Sequence, residues 1–157
     1  MSQLKNKLEF HKNEAKKFYE MKNKIKNELL NDRTQAVICY DFQKNLQMPK
    51  TNVSVEYYLR KFFCYNFGLH DLKTNNAVMY LYPENFAKKG ANEVISFINF
   101  YIKNNLSKEV KILHIFSDNA FSQNKNKFLW AFYKQIIDCQ LLKKIIIIQI
   151  PAIQLWK

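Results

Sequence analysis

The sequence predicts a mixed α/β fold: one long helix, then elements in the order β-β-β-α-β-α-β. Three observations carry this reading. Two short apolar runs, 36–40 (AVICY) and 112–117 (ILHIFS), each deliver an acid at the carboxyl end, Asp41 and Asp118. Two later segments repeat apolar residues at helical spacing between strand-like runs. Two aromatic-rich runs flank Asn75 and Asn76, the pattern of a β-hairpin.

Taken in order, residues 1–31 contain neither Gly nor Pro and place Leu4, Leu8, Ala15, Phe18, Tyr19, Ile25 and Leu29 near helical spacing. They read as one lysine-rich helix, a first unit over 1–34. It can lie against the domain, pair with another helix in an oligomer, or line nucleic acid. The strand at 36–40 opens after Asp41 into a polar loop, FQKNLQMPK. Residues 57–72 and 77–82 (AVMYLY) form the predicted hairpin, with Gly68 marking a bulge or bend. A loop over 83–90 carries Lys88 and Lys89. Residues 91–104 then read as a helix with Val94, Ile98, Tyr101 and Ile102 inward, Asn92 as its cap and Glu93 in its first turn. After Asp118 and a polar loop, 126–139 form a second helix, with Trp130 and Phe132 assigned to the core. The apolar run 144–150 (KIIIIQI) is the last strand, so 35–157 make one domain.

The chain of 157 residues has 25 Lys and Arg against 13 Asp and Glu, a net charge of +12. That balance favours acidic partners, nucleic acid first. Scarce Gly and Pro with abundant Asn, Lys, Ile and Phe match an AT-rich coding bias, so part of the charge is compositional. Cys39, Cys64 and Cys139 are far apart, no Cys-x-x-Cys pair exists, and His11, His70 and His114 are scattered. Reduced thiols in an intracellular protein follow, without structural zinc. His114 within its apolar run reads as a core residue, and His70 beside Asp71 as a structural pair. The charged N-terminus predicts no signal peptide, and no apolar run is long enough to span a bilayer.

The acids are the strongest functional signal. If the strands that end in Asp41 and Asp118 are parallel neighbours, both carboxylates emerge at one end of the sheet. Two carboxylates held that close favour a divalent cation. The competing reading of Asp118 is a turn-and-cap residue. This strand order with paired acids is the arrangement of the ribonuclease H-like fold, whose metals support phosphoryl transfer on nucleic acids.

Several phrases resemble one family within that fold, the catalytic domain of transposase-derived proteins scattered through animal genomes. They are DFQKNL from Asp41, YLR from Tyr58, YNFGLHD from Tyr65, KKGANEV from Lys88, FSDN from Phe116 and QNKN from Gln123. The resemblance implies that Asp41 and Asp118 are the first two of three acids holding Mg²⁺ or Mn²⁺ for DNA strand cleavage and transfer. It also implies that Gln123, Asn124 and Lys125 face the site or the nucleic-acid backbone, with Lys88 and Lys89 as further phosphate contacts, and that the protein is nuclear. Ribonuclease H enzymes carry a glutamate on the corresponding first helix, which makes Glu93 a candidate catalytic acid; the alternative is a helix N-terminal acid. The family's glycine bridge is replaced by Ala120, Phe121 and Ser122. Its third acid and final helix are expected beyond the last strand, so the chain reads as truncated and its activity as lost or weakened. The rival is a non-catalytic nucleic-acid or protein-binding module. A degenerate fragment, with one sheet face left bare, is the third possibility.

Overall fold

The computed structural model describes residues 2–49, 53, 58–118, 120 and 124–150. Helix α1 (Ser2–Glu28) precedes strands β1 (Gln35–Phe42), β2 (Leu46–Met48), β3 (Phe62–Asp71) and β4 (Ala77–Pro83). Helix α2 (Ala91–Asn104), strand β5 (Ile112–Asp118), helix α3 (Lys127–Asp138) and strand β6 (Lys144–Ile150) follow. The six strands form one mixed sheet: β4 beside β3, β3 beside β1, β1 beside β5, β5 beside β6. The β1–β3 and β3–β4 pairs are antiparallel, while β1–β5 and β5–β6 are parallel. The β5–β6 pair is bridged by α3 alone, a β-α-β crossover, while the connection from β1 to β5 runs through β2, β3, β4 and then α2.

The polar loop after Asp41 contains a strand that its composition hid. Strand β2 pairs with β3 on the same side as β1, but Phe42 lies opposite Phe67 and Leu46 opposite Cys64. Three residues on one strand therefore face two on the other, a bulge that bends the chain just past the acid. The register through Gly68 is unbroken on both sides, Asp41 opposite it on one and Met79 on the other. The expected bulge thus sits across the ladder, at 43–45. The hairpin turn itself is as predicted in kind: Asn75 takes a left-handed φ of 60°, which Asn tolerates. Asp71 Oδ1 accepts the Lys73 and Thr74 amides at 2.9 and 3.3 Å, and His70 Nε2 bonds Asn75 Oδ1 at 3.1 Å.

One face of the sheet packs on α2 and α3 through Ile38, Tyr40, Phe67, Leu113 and Ile115 against Val94, Ile98, Leu129 and Tyr133. Aromatic rings extend this core, with Tyr80 stacked on Phe97 at 4.6 Å. The opposite face, expected bare without a final helix, is crossed by α1. Phe18 is buried there with Val37, Cys39, Leu72 and Phe116, its ring edge-on to Phe116 at 5.5 Å. On that face Met79 and Leu81 of β4 remain exposed. Lys73 ties the two ends of the connector down, donating to the carbonyls of Asp32 at 2.5 Å and Gln35 at 2.7 Å.

Two helix assignments need correction. On α3 the buried residues are Leu129, Phe132, Tyr133 and Ile136, whereas Trp130 is 51 % exposed. The apolar residues of this helix wrap too far round for one stripe, and only one stripe can face the sheet. On α2 the cap is Gly90, not Asn92, and the Gly90 amide donates to Glu93 Oε2 at 2.9 Å. Gly90 has an extended backbone, φ −118° and ψ −178°, a conformation that any residue adopts. A Cβ there would meet Glu93 Oε2 at 2.9 Å. Gly90→Ala is therefore expected to displace the carboxylate from the cap and cost about 1 kcal/mol, read by urea unfolding. A cost below a few tenths would show that the cap contributes nothing.

Candidate metal centre

The register brings the two acids together. Cys39 pairs with Phe116 across the parallel β1–β5 ladder, and two residues further along each strand stand Asp41 and Asp118. Neighbouring strands run about 4.8 Å apart. Side chains alternate faces along each strand, so both acids share the face that buries Cys39 and Phe116 under α1. Asp41 is half-buried. Burial first, then the Asp118 charge, pushes its carboxyl up to about 6, against the Phe42 amide and Lys89, which lower it. A carboxylate raised by burial and by a like charge beside it is poised to take a cation or a proton.

Lys89 is the local positive charge. Its ammonium lies 5.2 Å from the centroids of both the Phe42 and Tyr65 rings and donates to the Gln43 carbonyl at 3.4 Å. Burial lowers its pKa while Asp41 raises it. Lys88 is exposed, and its carbonyl accepts the Tyr82 hydroxyl at 2.8 Å. Glu93 caps α2 at a cavity of about 410 Å³ that Lys88, Asn92, Asn126 and Phe128 also line. There its carboxylate holds the Gly90 amide, which is the helix-terminal role.

Asp118 is held by the loop that follows it. Its Oδ1 accepts the Ala120 amide at 3.1 Å, a short turn of the kind Asp makes readily. The same Oδ1 accepts Asn124 Nδ2, which also approaches the Asp118 carbonyl at 3.4 Å. The helix cap is a different residue: Asn126 Oδ1 accepts the Phe128 and Leu129 amides at 3.1 and 3.0 Å. So Asp118 turns the chain but does not cap α3, and its second oxygen is not used by these contacts. Asn124 is buried, at 3 % exposure, Lys125 is exposed, and Gln123 lies outside the described residues.

Gln149, the one amide in the run of isoleucines on β6, donates to the Asn124 carbonyl at 2.7 Å and latches the loop to the sheet. Sequence reading passed over it, although a lone polar side chain in a half-buried strand favours a partner. His114 Nε2 likewise bonds Gln35 Oε1 at 2.8 Å. Among the described residues no group of three or more His, Cys, Asp or Glu side chains is placed to hold a metal, and no helix is long and apolar enough to cross a membrane. The three cysteines are unpaired, and burial pushes the Cys39 thiol up to about 11. The donors that the register brings together here are the carboxylates of Asp41 and Asp118, hard oxygen ligands of the kind that suit Mg²⁺ or Mn²⁺. Comparison with protein-family models, with curated proteins and with solved structures finds no match to this chain.

Proposed function

We propose that this chain is a ribonuclease H-like domain of transposase-derived type, which holds Mg²⁺ or Mn²⁺ between Asp41 and Asp118 and acts on DNA. The parallel register that sets Asp41 beside Asp118 carries the reading. The strand order and directions of the sheet support it, since a central strand with an antiparallel hairpin on one side and two parallel strands on the other is the ribonuclease H-like arrangement. Bound there, a divalent cation supplies Lewis acidity and charge neutralisation for in-line displacement at phosphorus. Asp41 and Asp118 hold it, and Lys89 offsets part of the Asp41 charge. Lys88 and Lys125, both exposed, supply positive charge for a nucleic-acid backbone. A nuclear location follows from the same family resemblance.

Among the described residues two acids stand at the site, and Glu93 is committed to a helix cap. That specific observation favours a second reading, a non-catalytic nucleic-acid-binding module that keeps the fold and its basic surface.

Calorimetric titration of Mn²⁺ into the chain and into an Asp41→Ala/Asp118→Ala double variant tests the centre. The expected result is saturable binding by the former and none by the latter. Equal binding in both would remove the metal centre. Cleavage of labelled DNA under the same conditions then separates the two readings.

A further inference from the structure

Asn124 has one atom that the fold does not explain. Its backbone amide donates to the Ala120 carbonyl at 2.7 Å, its carbonyl accepts Gln149 Nε2 at 2.7 Å, and its Nδ2 is spent on Asp118. Its Oδ1 is buried and has no hydrogen-bond partner among the described residues. A buried amide oxygen left without a partner is costly and calls for one. This oxygen belongs to the same planar amide whose nitrogen touches Asp118, so it stands within a few ångströms of the Asp118 carboxylate.

We propose that Asn124 Oδ1 is the third protein ligand of the cation held by Asp41 and Asp118. The inference rests on the two-acid reading of the site. Side-chain amide oxygens are ordinary ligands of hard divalent cations. Asn124 then acts twice: its nitrogen occupies Asp118 Oδ1 and leaves the second carboxylate oxygen for the cation, while its own oxygen completes the donor set. The residue is buried at 3 % exposure, which suits an inward ligand and not a contact to a nucleic-acid backbone.

The test is Mn²⁺ titration of the full chain by calorimetry, with thermal unfolding in the presence and absence of Mn²⁺ as a second readout. Asn124→Ala is expected to bind at least about tenfold more weakly and to lose most of the Mn²⁺-induced rise in melting temperature. Asn124→Asp keeps an oxygen in place, adds charge and is expected to bind at least as tightly as the unaltered chain. Asn124→Ala binding as well as the unaltered chain would overturn the proposal. So would Asn124→Asp binding as weakly as Asn124→Ala, because the nitrogen alone would then be the active atom. If Asn124→Ala does not fold, the nearly isosteric Asn124→Asp decides by itself. Absence of Mn²⁺ binding by the unaltered chain would overturn the two-acid reading and this proposal with it. Binding by that chain alongside unaffected Asn124 variants would overturn only the role of Asn124.

Discussion

Phe18→Ala is expected to destabilise the protein by about 3 kcal/mol, at the lower end of the range for truncating a buried phenylalanine. Phe18 is 2 % exposed and is the buried residue of α1 among those whose side chains are described. Tyr19 and Ile25 pack beside it only in part. The rest of the helix is held by exposed pairs such as Lys17–Glu14 at 3.1 Å and Lys24–Glu28 at 3.9 Å. Exposed pairs of this kind contribute little. Removing the ring empties the contact with Phe116 and leaves α1 with no fully buried side chain among the described ones. Urea unfolding should report the loss, and trypsin should cut the lysine-rich helix before the sheet domain. A cost under 1 kcal/mol with unchanged cleavage would mean that α1 is held by something other than Phe18.

Asp41→Asn is expected to stabilise the protein above pH 6 by roughly 1–2 kcal/mol, after solvent screening of a partly exposed group is allowed for. The direction follows from linkage. An aspartate has a pKa near 3.9 in the unfolded chain, while burial and the Asp118 charge raise it to about 6 in the fold. The folded state therefore holds the proton more tightly. Its stability is fully present below about pH 4, falls as pH rises through about 6, and is flat beyond that. An amide never ionises, so the variant gains at pH 8 and gains little at pH 4. Millimolar Mg²⁺ should reverse the ranking at pH 8, because a ligand that binds only the folded acid pair stabilises it by mass action. Urea unfolding at the two pH values, with and without Mg²⁺, checks all three statements. A variant less stable than the parent at pH 8 without metal would show that the Asp41 carboxylate is a structural acceptor. A pair of acids that costs stability until it is filled is the usual mark of a site kept for function.

Much of the secondary structure was legible because its signals are local. Helix Ala91–Asn104 stands where its 3.6-residue repeat places it and strand Lys144–Ile150 where its run of isoleucines does, since both signals are written within the segment itself. The misses share one cause. Trp130 looks like a core residue on a helical wheel, but which stripe of α3 faces the sheet depends on where the sheet lies. The bulge at 43–45 arises from pairing with β3, some twenty residues away, and nothing in FQKNLQMPK announces it. Gly90 displaces Asn92 as the cap of α2 because Glu93 folds back onto its amide.

The candidate site divides in the same way. Sequence by itself determined that two apolar strands end in acids, that helices connect the parallel run, and that the chain carries a strong positive charge. Tertiary structure alone decided that Asp41 and Asp118 share a face, because this needs both the β1–β5 register and its parity, and a slip of one residue would turn one acid to the other side. It alone decided that Lys89 lies against Phe42 and Tyr65 and that Asn124 turns inward onto Asp118. It also decided that Gln149 secures the loop from a different strand. Strand and helix propensities act over a few residues, whereas the contacts that shape this site join residues from 6 to 77 positions apart in the chain. Their partners are chosen only when the sheet closes.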